Sequence, residues 1–278
     1  MTLSKLGLGL LLMGLSFQAA ALECRLTQNQ FIVRGQKSEH QIDLASTKWR
    51  PKIACLPQIA AVYDGTHLFV VSASDGLLHW RATHSYPAAL LRLDGARAVL
   101  YDGNEFIIFT NGLGFQSFSV ATKFHEAQLV VNRQMAAIYD GKFLSIFDAS
   151  RADLTTFSVA SRFKHSRLLI SGGLLLFYDG KEIHVWDRRR GDYFHQRVSP
   201  LFYFTAYSFG PGTVAFYDGK SVVGFCSRTR SLVSEPVIFD PFAKGRVDPR
   251  TGEASIKVAD KIYRLSWRKC EWSIETVE

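Results

Sequence analysis

Five aspartates stand first among the residues able to do chemistry: Asp64, Asp102, Asp140, Asp179 and Asp218, each inside a Tyr-Asp-Gly tripeptide. A ring of carboxylates would hold a hard cation, or supply an acid and a base. A metal of that kind needs several oxygens within about 2.0 to 2.6 Å, however, and these five recur at spacings of 38, 38, 39 and 39 residues. One per repeat unit, they stand too far apart to share an ion. The structural reading fits the spacing better: a turn aspartate that accepts hydrogen bonds from its own backbone, beside a packing tyrosine.

A second group is basic and aromatic. His84, then Lys123, Phe124 and His125, then Arg162, Phe163, Lys164 and His165 occupy similar places in three successive units. There they are expected to form a patch able to receive an acidic partner or an anionic ligand. Three histidines would suit zinc only with tetrahedral ligands at about 2.0 to 2.1 Å, which nothing in the spacing enforces. His184 alternates with apolar residues and reads as a core histidine. Arg188, Arg189 and Arg190, with Arg228 and Arg230 one unit later, read as solvated turn residues. No phosphate loop, His-Glu-x-x-His, nucleophile elbow or paired-cysteine metal motif is present. No catalytic residue, metal or cofactor is therefore assigned from the sequence.

The elements that position these groups follow from the repeat. Tyr63-Asp64-Gly65, Tyr101-Asp102-Gly103, Tyr139-Asp140-Gly141, Tyr178-Asp179-Gly180 and Tyr217-Asp218-Gly219 each sit between two apolar runs. Past the glycine, apolar residues alternate, as in Phe106 and Ile108 or Leu144 and Ile146. Period two means strand, and Asp-Gly between two such runs is a tight hairpin, because glycine supplies the positive φ. The segments FSVATKF (118–124) and FSVASRF (157–163) repeat the period independently. Each unit reads as four short strands: an inner one such as 126–131, a second ending in Tyr-Asp-Gly, a third, and an outer one such as 155–160.

Four strands in about 38 to 40 residues make a propeller blade. The third strand is apolar on both faces, so each sheet must be covered on both sides, which stacking around an axis achieves. Five clear blades are joined by a degenerate last one over 242–278, with Asp260 in its turn, and by three strands within 23–45 at the start. An all-β propeller of seven blades is expected, with six or eight left open.

Residues 1–21 are read as a secretory signal peptide: Lys5, an apolar run from Leu6 to Phe17, then Ala19, Ala20 and Ala21. The run is shorter than the roughly 20 residues of a membrane span, and no later segment qualifies. Its removal takes one lysine and no acid, so the formal charge of +8 falls to +7. Residues 22–278 then form a single exported domain, periplasmic or secreted. The full chain is 47% apolar, and a domain of this size has a core that needs no disulfide to be stable. Export nonetheless makes two disulfides of Cys24, Cys55, Cys226 and Cys270. Placed on the blades, the four fall at strand ends on one face. Cys24–Cys55 and Cys226–Cys270 are the pairings expected between neighbouring blades, with a ring-closing Cys24–Cys270 link the alternative.

The segment FYDGKEIHVWDRRRG (177–191) resembles the turn and third strand of a WD-repeat, with Asp179-Gly180 in the hairpin and Trp186-Asp187 at the strand end. Other units carry Phe147-Asp148, Phe109-Thr110 or Phe225-Cys226 instead, and the Gly-His pair of that family is absent. The resemblance implies a propeller and, by analogy, a protein-binding platform.

The function expected is that of a non-enzymatic platform binding another envelope or secreted protein, an acidic one included, as an assembly factor, inhibitor or immunity-type partner. A monomer is expected, and an exported chain without a recognition motif excludes nucleic acid as partner. The alternative is a carbohydrate-binding or glycan-hydrolysing propeller. The latter would need two carboxylates roughly 5 to 9.5 Å apart in one pocket.

Overall fold

A strand that is apolar on both faces needs a sheet on either side of it, and that requirement is met by radial stacking. The computed structural model describes residues 21–277 apart from 37, 46–49, 84–86, 121–124, 160–165, 199–205 and 249–250. It is a seven-bladed β-propeller. Among the described residues, 27 strands form seven antiparallel sheets, blades 1 to 7, over 23–43, 52–81, 90–119, 128–158, 167–197, 206–236 and 244–276. Among these residues, blades 2 to 7 have four strands in chain order and blade 1 has three. No helix among the described residues is long and apolar enough to cross a membrane.

The second strands carry the core. All five residues are buried in Ile59–Tyr63, Arg97–Tyr101, Met135–Tyr139, Leu174–Tyr178 and Thr213–Tyr217. The repeated tyrosine is one reason the blades stack. Tyr139 of blade 4 meets Phe177 of blade 5 at 4.6 Å between ring centroids, and Tyr178 of blade 5 meets Phe216 of blade 6 at 5.1 Å. Tilted aromatic pairs at such distances add to the area buried.

Strand ends differ slightly from the sequence reading. The inner strand of blade 4 is Gln128–Val131 and its outer strand Asp153–Ser158. Pairing with the third strand sets the latter, since Asp148 lies opposite Asp153 and Phe143 opposite Ser158.

Blade 1 consists of Glu23–Leu26, Gln30–Arg34 and Glu39–Asp43. Two backbone bonds identify them as second, third and outer strands. Thr27 N–H donates to the Gln30 carbonyl as Asp64 N–H does to His67, and Leu44 N–H donates to Asn29 as Ala82 N–H does to Thr66. Both disulfides link neighbouring blades. Cys24–Cys55 joins blades 1 and 2 with Cα atoms 6.4 Å apart, and Cys226–Cys270 joins blades 6 and 7 at 5.6 Å.

Candidate functional site

The five Tyr-Asp-Gly turns share one geometry. One carboxylate oxygen of each aspartate accepts hydrogen bonds from two N–H groups of its own turn: Thr66 and His67, Asn104 and Glu105, Lys142 and Phe143, Lys181 and Glu182, Lys220 and Ser221. All ten bonds fall between 2.6 and 2.9 Å. The aspartates are at most 2% exposed. A carboxylate spent on two amides inside a buried turn shapes the hairpin. Gly65, at φ 100°, completes the turn where a side chain would be strained.

Of the basic loop group, His125 lies within the described residues and is exposed, just before the inner strand of blade 4. His84, Lys123, Phe124, Arg162, Phe163, Lys164 and His165 lie outside them.

His184 is 3% exposed. Its Nδ1 is 2.6 Å from the Tyr193 hydroxyl and its Nε2 3.3 Å from Asp179 Oδ2. Burial raises the Asp179 carboxyl, but the His184 ring and the Glu182 and Lys181 amides together outweigh it and leave the group below its ordinary range. Burial, with Glu182 and Asp179 nearby, pushes the Tyr193 phenol up to about 12. Enclosed by apolar strands, this network holds blade 5 together.

The arginines of the third-to-outer turns do more than meet water. Arg188 Nε donates to Asp148 of blade 4 at 2.9 Å, and Arg230 donates to Asp192 of blade 5 at 2.7 Å. Arg228 donates to the Arg268 carbonyl of blade 7. Each ties one blade to a neighbour, which corrects the reading of these turns as merely solvated. Burial raises the Asp148 carboxyl, and the Ser150 amide and hydroxyl with Arg188 bring it below the usual range.

Between these turns lies a cleft of about 340 Å³, lined by residues of blades 5, 6 and 7 that include Arg189, Phe209, Pro211, Ser227 and Val247. An adjoining hollow of about 280 Å³ is lined by Arg189, Arg190, Ser227, Arg228 and Trp267. Arg189 and Arg190 are exposed, and neither guanidinium has a side-chain partner among the described residues. Trp267 is 39% exposed and carries the Arg268 guanidinium 5.1 Å from its ring centroid. Ser227 Oγ is buried and has no hydrogen-bond partner among the described residues. The Cys226–Cys270 bridge pins this wall, since Cys226 precedes Ser227 and Cys270 closes the turn holding Trp267. Guanidinium forks accept carboxylates in a bidentate manner, and an exposed tryptophan beside them offers apolar contact. The sequence signals for this region were the run of three arginines and Arg228 one unit later; its second wall comes from turns about 40 and 80 residues on.

No family model matches the chain, and no curated protein matches it. Solved structures are similar at low identity. AztD from Citrobacter koseri shares 10% identity at a TM-score of 0.44, over 76% of this chain and 66% of that one, just under two thirds of its length. Hsv2 from Kluyveromyces lactis shares 13% at 0.40, over 93% and 94%. A functionally unknown protein from Desulfotomaculum acetoxidans shares 10% at 0.41, over 79% of each chain. Likeness at this level says nothing about what this chain binds.

Proposed function

We propose that the chain is an exported, monomeric, non-enzymatic propeller that serves as a protein-binding platform in the cell envelope, as an assembly factor, inhibitor or immunity-type partner. It takes an acidic segment of its partner in the arginine cleft of blades 5 to 7. One observation carries this reading: Arg189 and Arg190 stand exposed, with no side-chain partner among the described residues, beside Trp267 and Arg228, whereas Arg188 and Arg230 are paired with acids of neighbouring blades. Arginine and tryptophan together are the side chains that most often dominate an interface. The two disulfides support an oxidising compartment, and the net positive charge favours an acidic partner. The loop group of His84, Lys123, Phe124, His125, Arg162, Phe163, Lys164 and His165 is proposed as a second basic surface, on the end of the propeller that carries the Tyr-Asp-Gly turns.

The test is affinity capture from the native envelope with three equally folded proteins: wild type, Arg189→Glu/Arg190→Glu, and Lys123→Glu/Arg162→Glu/Lys164→Glu. Loss of one stoichiometric partner in the first variant supports the cleft, and loss in the second moves the working face to the loops. Failure of the wild type to retain any protein, with retention on a glycan array, replaces the platform by the carbohydrate reading.

A further inference from the structure

We infer that the inward edge of blade 1 is a docking site for an extended segment of a partner protein in which apolar and acidic residues alternate. This site is distinct from the arginine cleft and stands or falls separately. In blades 2 to 7 the second strand pairs on both sides, with the inner and the third strand. In blade 1 its counterpart, Glu23–Leu26, pairs with Gln30–Arg34 alone among the described residues. Alternation along an antiparallel pair turns the N–H and C=O groups of Cys24 and Leu26 away from that partner, toward the propeller axis. An open edge of this kind adds a strand readily.

The two walls beside the edge state what the strand must carry. Ile53, opposite Val62 on the inner strand of blade 2, has counterparts in Leu91, Leu129 and Leu168, each opposite the residue preceding a repeat tyrosine. Those leucines are 6%, 5% and 4% exposed against the preceding blade, whereas Ile53 is 38% exposed and Leu26 47%. An apolar surface is thus waiting on that side.

The other wall belongs to blade 7. Gly245 and Ile256 lie opposite one another, and Ile256 packs toward blade 6. The intervening Lys244, Arg246 and Lys257 therefore face the other way, toward blade 1. Lys244 and Arg246 are exposed. Glu23 and Arg25 of the open strand look toward them, while Arg264 on the same face is paired with Asp248 and Glu275. Lys244, Arg246 and Lys257, with no acidic partner among the described residues, and Arg25 against Glu23 favour acids. A strand laid antiparallel to Glu23–Leu26 would put one side chain on Ile53 and the next among these cations.

The test uses the mature protein and a synthetic octapeptide alternating valine and glutamate, read by fluorescence anisotropy and hydrogen–deuterium exchange. Saturable binding with slowed exchange at the Cys24 and Leu26 amides is expected. Ile53→Glu and Lys244→Glu/Arg246→Glu, at exposed positions that leave the Tm unchanged, should each weaken binding at least ten-fold, while Arg189→Glu/Arg190→Glu should not. A valine–lysine peptide should not bind. Absence of saturable binding, protection elsewhere, or equal binding of the lysine peptide overturns the proposal. So does protection of those amides before peptide is added, whether in a dimer that exchanges strands or in a precursor that retains residues 1–21.

Discussion

The Tyr193 hydroxyl and Nδ1 of His184 lie 2.6 Å apart on adjacent strands of blade 5. The histidine is buried and its other nitrogen faces Asp179, so the hydroxyl is what satisfies Nδ1. Tyr193→Phe keeps the ring and removes that partner. It should cost about 1 to 3 kcal/mol, the penalty for a buried polar atom left unmade. Pairing it with His184→Phe should cost less than the two single changes summed. Urea unfolding of the four proteins checks this; strict additivity would show that the contact carries no energy.

Acid should unfold the protein through Asp148 and Asp179. Both carboxyls sit below the ordinary value of 3.8 in the folded chain. The unfolded chain therefore takes up protons first as pH falls. Their stabilisation is complete above about pH 5 and drains away through pH 4 and lower. Asp148→Asn should be weaker at pH 7, with Arg188 left unpaired, yet lose less between pH 6 and pH 2.5 than wild type. Urea midpoints across that range decide, and equal slopes would count against it.

The two disulfides should fail differently. Cys226 and Cys270 are 44 residues apart in sequence and Cys24 and Cys55 31 apart, so chain entropy allows each bridge about 4 kcal/mol at most. Cys226→Ser/Cys270→Ser should lower the Tm and raise exchange around Trp267. Cys24→Ser/Cys55→Ser should instead loosen blade 1 locally, because Glu23–Leu26 has one paired edge among the described residues. Protease cleavage confined to residues 21–45 would be the sign, and a uniform rise in cleavage along the chain would contradict it.

At Gly245 the inner strands of blades 6 and 7 pack backbone to backbone: a Cβ there would lie 1.8 Å from the Tyr207 carbonyl oxygen. Backbone cannot yield as a side-chain tip would, so Gly245→Ala should cost 3 kcal/mol or more, on the order of other severe overpacking. Gly173→Ala is the control, with the Gln134 side chain 3.3 Å away and free to give. Thermal unfolding of both variants separates the outcomes; equal Tm values would show that the blades slide apart at little cost.

The repeat, the strands and the turns were legible in the sequence because each depends on local order. Apolar alternation around Tyr-Asp-Gly reports strand pairing within one blade, and a period of 38 or 39 residues reports how many such blades the chain can stack. Even the three-stranded start was visible. That those three strands are the second, third and outer ones, and that Ile53 is left exposed as a result, required the backbone pairing of Thr27 and Leu44. Cysteine spacing alone left three connectivities open, but placing the cysteines on the blades already favoured Cys24–Cys55 and Cys226–Cys270, and the structure holds these two bridges rather than a ring-closing Cys24–Cys270 link. The arginines show the limit most clearly. Arg188 and Arg189 are adjacent and look alike as letters, yet one is paired with Asp148, 40 residues back, while the other points into a cleft built from three blades. Charge type is a property of the residue, but whether that charge is neutralised or offered depends on neighbours that only the stacking of blades brings within reach.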